Sequence, residues 1–398
     1  MEKIKIDILP NLYLKEDGTF DKEKAFNICG KIAGVCYDKE GFNHLKDESL
    51  EKTNRRISMT LDNGHHSVYD HIFINFNIHN IPKILAMIIN NEKQYTTSEK
   101  SARYTKIIRT DDSIITKEEE EIYNKWYSIL VPIIKEKYGN VFNDSKINKL
   151  AQENARYFVT TFMPTEMIYT TSLRQINYIA AFMEEYIMEA HRNNSFEMMI
   201  ANSMEDFINE LIKLNIIDER LMKNEKNRKF SLFRDDIENT QGYFGDIYIT
   251  SYYGTFAQLA QAQRHRTIDY SMNFKDDDKY FVPPIIKDDD SLVNEWLEDM
   301  NKVKNVFPQG KMVLIKEIGT YDNFILKCKE RLCSCAQLEI NNQTKETLIN
   351  YKNYLKAINS PLYEDIIKYD KGARCTFPDY KCNSDCGFKE GKVLKRKI

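Results

Sequence analysis

The stretch from Ile247-Tyr248-Ile249-Thr250 to Gln261-Ala262-Gln263-Arg264-His265-Arg266 decides how this chain reads. Alternation over the first four residues predicts a strand, and the apolar run before Gln261 predicts a helix. The helix then delivers two arginines flanking a histidine. A guanidinium is a planar fork of donors that matches a phosphate or another planar anion, so the triplet predicts an anion site, with an interfacial salt-bridge cluster as the bland alternative. The same rhythm occurs upstream, as Ile72-Phe73-Ile74-Asn75-Phe76 followed by Pro82 to Ile89, but this copy carries Asn91-Glu92-Lys93 where the triplet would fall. It continues Ser98-Glu99-Lys100-Ser101-Ala102-Arg103-Tyr104, for which the second copy has only Tyr270-Ser271-Met272-Asn273-Phe274. Each copy keeps a half of the chemistry that the other lacks.

A chain of 398 residues is long enough for two domains with separate cores. Hydrophobic residues at 42% and charged residues at 29% describe a globular protein, and no apolar run approaches the ~18 residues of a membrane span. The N-terminal Met1-Glu2-Lys3-Ile4-Lys5 lacks the apolar core of a signal peptide, which predicts a cytoplasmic protein. A net charge of -3 does not favour nucleic acid, and the basic tail from Lys392 to Lys397 reads as a solvated terminus.

The fold class predicted is mixed α/β, of the α+β kind: two related halves and a Cys-rich C-terminal extension. Helical spacing runs from Ile147 to Glu189 and breaks near Met163-Pro164-Thr165, because proline cannot donate within a helix. The densely charged segment from Asp218 to Lys229 marks the boundary between halves. The expected division is therefore 1–217, a linker at 218–229, 230–365, and an extension at 366–398.

The QAQRHR string, the Glu99-x-Ser101-x-Arg103-Tyr104 loop and the segment Gly64-His65-His66-Ser67-Val68-Tyr69-Asp70-His71 together resemble the flavin-dependent thymidylate synthases. That family's signature is Arg-His-Arg, seven residues, then Ser within Glu-x-Ser-x-Arg. Here the eighth residue past Arg266 is Phe274, while the corresponding position before Ser101 is Lys93. The resemblance extends to Ala155-Arg156 and, eighteen residues on, Arg174 in Ser172-Leu173-Arg174. It resumes in the second copy with Glu330-Arg331-Leu332-Cys333-Ser334-Cys335-Ala336-Gln337-Leu338-Glu339-Ile340, where Cys335 replaces the family's His. Lys304 and Pro308 stand where the family has Ala-Arg and Leu-Pro. The family's usual chain is about half this length, so the resemblance implies a fused or duplicated unit.

The resemblance implies roles residue by residue. Gln261, Arg264, Ser101, Arg103, Arg156 and Arg331 would contact dUMP; His65, Ser67, Arg174 and Arg266 would contact FAD; and Arg264, His265 and Arg266 form the catalytic triplet. Methylene-tetrahydrofolate and NADPH would be co-substrates of a reductive methylation of dUMP to dTMP. Since family sites lie between subunits, the split retention implies one composite site per chain and self-association of two duplicated chains. Modification of another pyrimidine nucleotide, or a non-catalytic nucleotide-binding role, are the alternatives.

Eight cysteines without an export signal argue for reduced thiols. Cys375, Cys382 and Cys386 lie in a loop-rich stretch, and with a fourth ligand from Cys328, Cys333 or Cys335, of which Cys335 is the choice, they could hold a structural zinc. The competing account is that this stretch packs through Phe377, Tyr380 and Phe388 and needs no metal.

Overall fold

The computed structural model describes residues 3–101, 107, 109–110, 113–192, 194–223, 229–234, 237–238, 240–275, 277–382, 386 and 396–398. Helix and strand mix in two compact units, as the sequence predicts. The units are not the contiguous halves read from the sequence. One comprises Met1–Lys100 and Pro164–Phe230, and the other Ser101–Met163 and Ser231–Ile398.

In the first unit an antiparallel sheet has the order β1 (Lys5–Ile8), β2 (Phe73–Pro82), β4 (Pro164–Ser172), β3 (Thr96–Glu99). Alternation in β2 sends Ile74, Phe76 and Ile78 inward, and the strand runs directly into the buried helix Lys83–Ile89. A bulge between Ile78 and Ile81 places Asn80 at φ 56, a left-handed position that Asn tolerates. Strand β4 feeds the helix Leu173–Glu189, whose N-cap Ser172 accepts a hydrogen bond from the Gln175 amide.

The second unit's sheet has the order β5 (Tyr243–Phe244), β6 (Ile247–Thr255), β8 (Met312–Thr320), β7 (Asp269–Asn273), again antiparallel throughout. Its second and fourth strands in chain order are again each followed at once by a helix, Phe256–Ala262 and Tyr321–Arg331, capped by Thr255 and Thr320.

The segment 101–163 joins this second unit because its apolar face finds its partners there. Trp126, Leu130 and Ile134 of the helix Lys117–Tyr138 share one core with Trp296 and Met300 of the helix Asp290–Lys302. Trp126 and Trp296 meet edge to face at 4.8 Å, and the indole nitrogen of Trp126 donates to Asp299 at 2.9 Å. Main-chain hydrogen bonds then zip residues 157–161 to 307–310: Gln309 N to Val159 O, Gly310 N to Tyr157 O and Thr161 N to Phe307 O, each 2.8 Å. Gly310 allows this approach, since a Cβ there would lie 2.9 Å from the Tyr157 Cβ.

Candidate functional site

Each unit gathers a distinct set of the residues singled out above. In the first, the turn His66–His71 carries Asp70 toward the end of β4. Asp70 accepts from Ser172 Oγ and from Arg174 Nη1, both at 2.6 Å, and the Arg174 guanidinium lies 5.0 Å from the Tyr178 ring centroid. These groups line a cleft of about 270 Å³ that also contains Lys93, Gln94 and Phe182. Lys93 thus brings a cation to the cleft from the position where this copy lacks its arginine triplet. Of the two neighbouring histidines, His66 is buried between Tyr178 Oη (3.2 Å) and Leu61 O (3.1 Å), whereas His65 is exposed, as is Ser67. Asp70, which lies in the segment Gly64–His71 but was given no role there, is the residue of that segment that lines the cleft.

In the second unit, helix Phe256–Ala262 ends in the turn that holds the triplet. Arg264 is exposed, His265 is buried and Arg266 is half-buried. His265 Nε2 accepts from Arg331 Nε at 2.7 Å, and Arg331 Nη2 donates to Gln261 O at 3.2 Å. The histidine therefore acts as a neutral acceptor that fixes the arginine's side chain. Burial first, then the charges of Arg331 and Lys327, press its imidazole down to about 2. His265 thus faces the protein interior and holds Arg331.

Gln261 opens a second chain of contacts. Its Nε2 donates to Gln337 Oε1; Gln337 Nε2 donates to Tyr157 Oη at 2.5 Å; and the Tyr157 hydroxyl donates to Glu339 at 3.0 Å. Glu339 also receives Thr255 N and Thr255 Oγ1, both at 2.8 Å. Burial pushes its carboxyl up, against the pull of those hydrogen bonds and of the nearby Arg156 charge. Arg156, itself buried, sits in the turn Arg156–Phe158 beside Tyr157. The structure thus brings Arg156 together with Gln261, His265 and Arg331 in one unit, through Tyr157, Gln337 and Glu339, which sequence reasoning did not name as site residues. Their signal was present for two of them, since Gln337 and Glu339 lie in the quoted run after Arg331.

Phe274, at the position where the family has its serine, stacks on Phe256 with centroids 6.2 Å apart and meets Phe307 at 5.9 Å. That position is apolar packing in the second unit. Ser101 belongs to the second unit as well, and Arg103 lies outside the described residues.

Among the described residues no three His, Cys, Asp or Glu side chains form a group that could hold a metal ion. The extension is anchored by packing. Phe377 is buried in a core with Tyr351, Leu355 and Ile366, and the Arg374 guanidinium stacks 3.8 Å from the Tyr380 ring centroid. Cys29 and Cys328 are buried, and burial pushes both thiols up, to about 12 for Cys29, which keeps them protonated.

His265 predicts a pH dependence. Its folded-state value lies below the ordinary histidine value near ~6.5, so below that pH the unfolded chain binds a proton that the folded chain does not. Stability is complete above pH ~6.5 and is lost as pH falls, by up to about 1.4 kcal/mol per pH unit from this group. Denaturant unfolding at several pH values should show His265→Gln with a shallower acid slope than the parent; equal slopes would refute the assignment.

Residues 20–186 match the family model described as thymidylate synthase complementing protein. A flavin-dependent thymidylate synthase of Clostridium tetani is 25% identical over 163 residues, covering 37% of this chain and 66% of that protein. One from Pyrococcus furiosus is 22% identical over 150 residues, covering 36% of this chain and 57% of that protein. The chain thus spans somewhat under two thirds of the length of these curated relatives. Among solved structures, a UMP/dUMP methylase of Streptomyces cacaoi bound to 5-Br dUMP aligns with TM-score 0.32 at 15% identity, covering 55% of this chain and 94% of that one. Thymidylate synthase X of Helicobacter pylori, with FAD and dUMP, aligns with TM-score 0.29 at 11% identity, covering 55% of this chain and all of that one. Among the described residues no helix is long and apolar enough to cross a membrane.

Proposed function

We propose that this chain catalyses reductive methylation of dUMP to dTMP, with FAD, NADPH and methylene-tetrahydrofolate, as a long member in which two related halves have specialised. The observation that carries the reading is the cluster of Arg156, Gln261 and Arg331 in one unit, joined to a family match over residues 20–186. Arg156, Arg264 and Arg331 would hold the nucleotide's phosphate and pyrimidine, with Gln261 donating or accepting at the base. Arg103 and Ser101 would complete the phosphate contacts.

The residues also fit a flavin. Arg174 and Lys93 place two cations beside Tyr178 and Phe182 in one cleft, a donor set suited to a negatively charged, planar group. Arg266, His65 and Ser67 would add contacts. When bound, reduced flavin supplies hydride and the folate supplies the one-carbon unit. The protein's own part is to bind, orient and stabilise charge: preorganised guanidinium groups favour the charge that develops on a pyrimidine when carbon is added at C5. The identical strand order of the two sheets supports a duplicated origin, and self-association of two such chains would rebuild a four-lobed assembly.

Purified protein with flavin absorbance, forming dTMP from dUMP, methylene-tetrahydrofolate and NADPH, is the expected result. Arg264→Ala should weaken dUMP binding by about 1.5–3 kcal/mol, the range for a charge-assisted contact. Phe274 in the serine position favours a second reading, another pyrimidine nucleotide as substrate. Flavin binding without dUMP turnover would select it, and absence of both flavin and nucleotide binding would leave a non-catalytic relative.

A further inference from the structure

The hydrogen bonds from Gln261 to Glu339 have a direction, and it starts at the carboxylate. Thr255, the N-cap of helix Phe256–Ala262, meets Glu339 through both its amide and its hydroxyl at 2.8 Å. The hydroxyl oxygen already accepts from Gln258 N at 3.0 Å, so its proton is what it offers Glu339. The Tyr157 hydroxyl is the third donor, at 3.0 Å. An ionised carboxylate only accepts, so all three bonds run toward Glu339.

That direction propagates along the chain of contacts. With its proton given to Glu339, Tyr157 Oη accepts from Gln337 Nε2 at 2.5 Å. Gln337 Oε1 is thereby turned to Gln261, and because an amide oxygen only accepts, Gln261 must present Nε2 to it. Gln337 stands at the N-cap of helix Leu338–Ala357 but makes no side-chain cap bond there, its side chain being used in the relay. Tyr157, Gln337 and Glu339 are buried, so reversing one bond alone would leave a polar atom unpaired in the interior. The short helix that carries Gln261 is held at both ends, Thr255 by Glu339 and Gln261 by Gln337.

We propose that Glu339, Tyr157 and Gln337 are positioning residues that lock the half-buried Gln261 amide in one orientation, with Oε1 and the second N–H left for a ligand, and so select the pyrimidine base. This deepens the proposed methylation and rests on its placing Gln261 against the nucleotide. Uracil meets such an amide with its N3–H on Oε1 and its C4 oxygen on the N–H. Cytosine carries a lone pair at N3 and an amino group at C4, so the same pose would set acceptor against acceptor and donor against donor.

Calorimetric titration of the full chain with dUMP and with dCMP, FAD being present, tests the relay through the ratio of the two affinities. The parent should prefer dUMP by about tenfold or more, the effect of leaving polar groups unpaired. Glu339→Gln puts a donor where the carboxylate accepted; Tyr157 then donates to Gln337, both amides turn over, and the preference should collapse or reverse. Tyr157→Phe keeps the ring and breaks the relay, so it should also lower the ratio, and it decides the matter where the buried Glu339→Gln fails to fold. Gln337→Glu combined with Glu339→Gln restores an acceptor beside Gln261 and should return the preference for dUMP. General loosening of the site would weaken both nucleotides alike and leave the ratio unchanged. Retained dUMP binding with an unaltered ratio in Tyr157→Phe and in folded Glu339→Gln would overturn the relay alone. Equal affinity of the parent for the two nucleotides would do the same, whereas failure of the parent to bind either would overturn the proposed methylation with it.

Discussion

Lys327→Met is expected to destabilise the second unit by about 3–5 kcal/mol, the usual cost of removing one member of a buried ion pair. Lys327 Nζ and Glu317 Oε2 lie 2.6 Å apart with both side chains fully buried. Glu317 also accepts the hydroxyls of Tyr248 at 2.5 Å and Tyr252 at 2.8 Å, and Lys327 donates to Gln343 at 3.1 Å. Without the lysine, a carboxylate stays in the core with two neutral donors, too little to replace its hydration. Adding Glu317→Leu removes the stranded charge, so the double variant should recover much of the loss, although the two tyrosine hydroxyls then need other partners. Urea unfolding followed by a signal local to the second unit measures both. A single-variant cost below about 1 kcal/mol would show that the pair is not desolvated as the structure has it.

Arg331→Ala is expected to weaken dUMP binding by about 1.5–3 kcal/mol, roughly 10–150-fold, if the proposed function holds. The arginine is held on both sides, by His265 Nε2 and by Gln261 O, so its orientation is set before a ligand arrives. His265 should therefore influence binding only through Arg331. His265→Leu removes the acceptor and should cost part of the same energy, and His265→Gln, which keeps an acceptor, should restore much of it. In the double variant of Arg331→Ala and His265→Leu the second change should add little. Fully additive losses would give His265 a contact of its own with the nucleotide and remove its positioning role.

How far such roles were legible differs from residue to residue. Arg331 was found from its motif, but its tie to His265 was not, because sixty-five residues intervene between them and only the packing of helix Phe256–Ala262 near helix Tyr321–Arg331 creates it. A buried histidine and a catalytic one look alike in a linear pattern. Tyr157 had no signal at all: its hydroxyl becomes important only where Gln337 and Glu339 approach it from 180 and 182 residues away. For the cysteines, spacing suggested a metal loop, whereas the cation–π stack of Arg374 on Tyr380 and the burial of Phe377 in the same stretch are tertiary contacts that spacing does not contain.

By itself the sequence determined some local elements, the strands read from alternation at Ile72–Phe76 and Ile247–Thr250 and the helices that follow each, whereas Pro164–Ser172, within a stretch read as helical, is a strand. The elements read correctly depend on neighbours within a few residues, so the linear pattern contains them. The tertiary structure alone decided that residues 101–163 belong with 231–398, and that Arg156 therefore meets the network of Gln261 and Glu339. The reason is that an amphipathic helix states that it must bury a face but not against what. Trp126 finds Trp296 only once the whole chain has been placed, because burial of apolar surface is non-directional and its partners are chosen by shape.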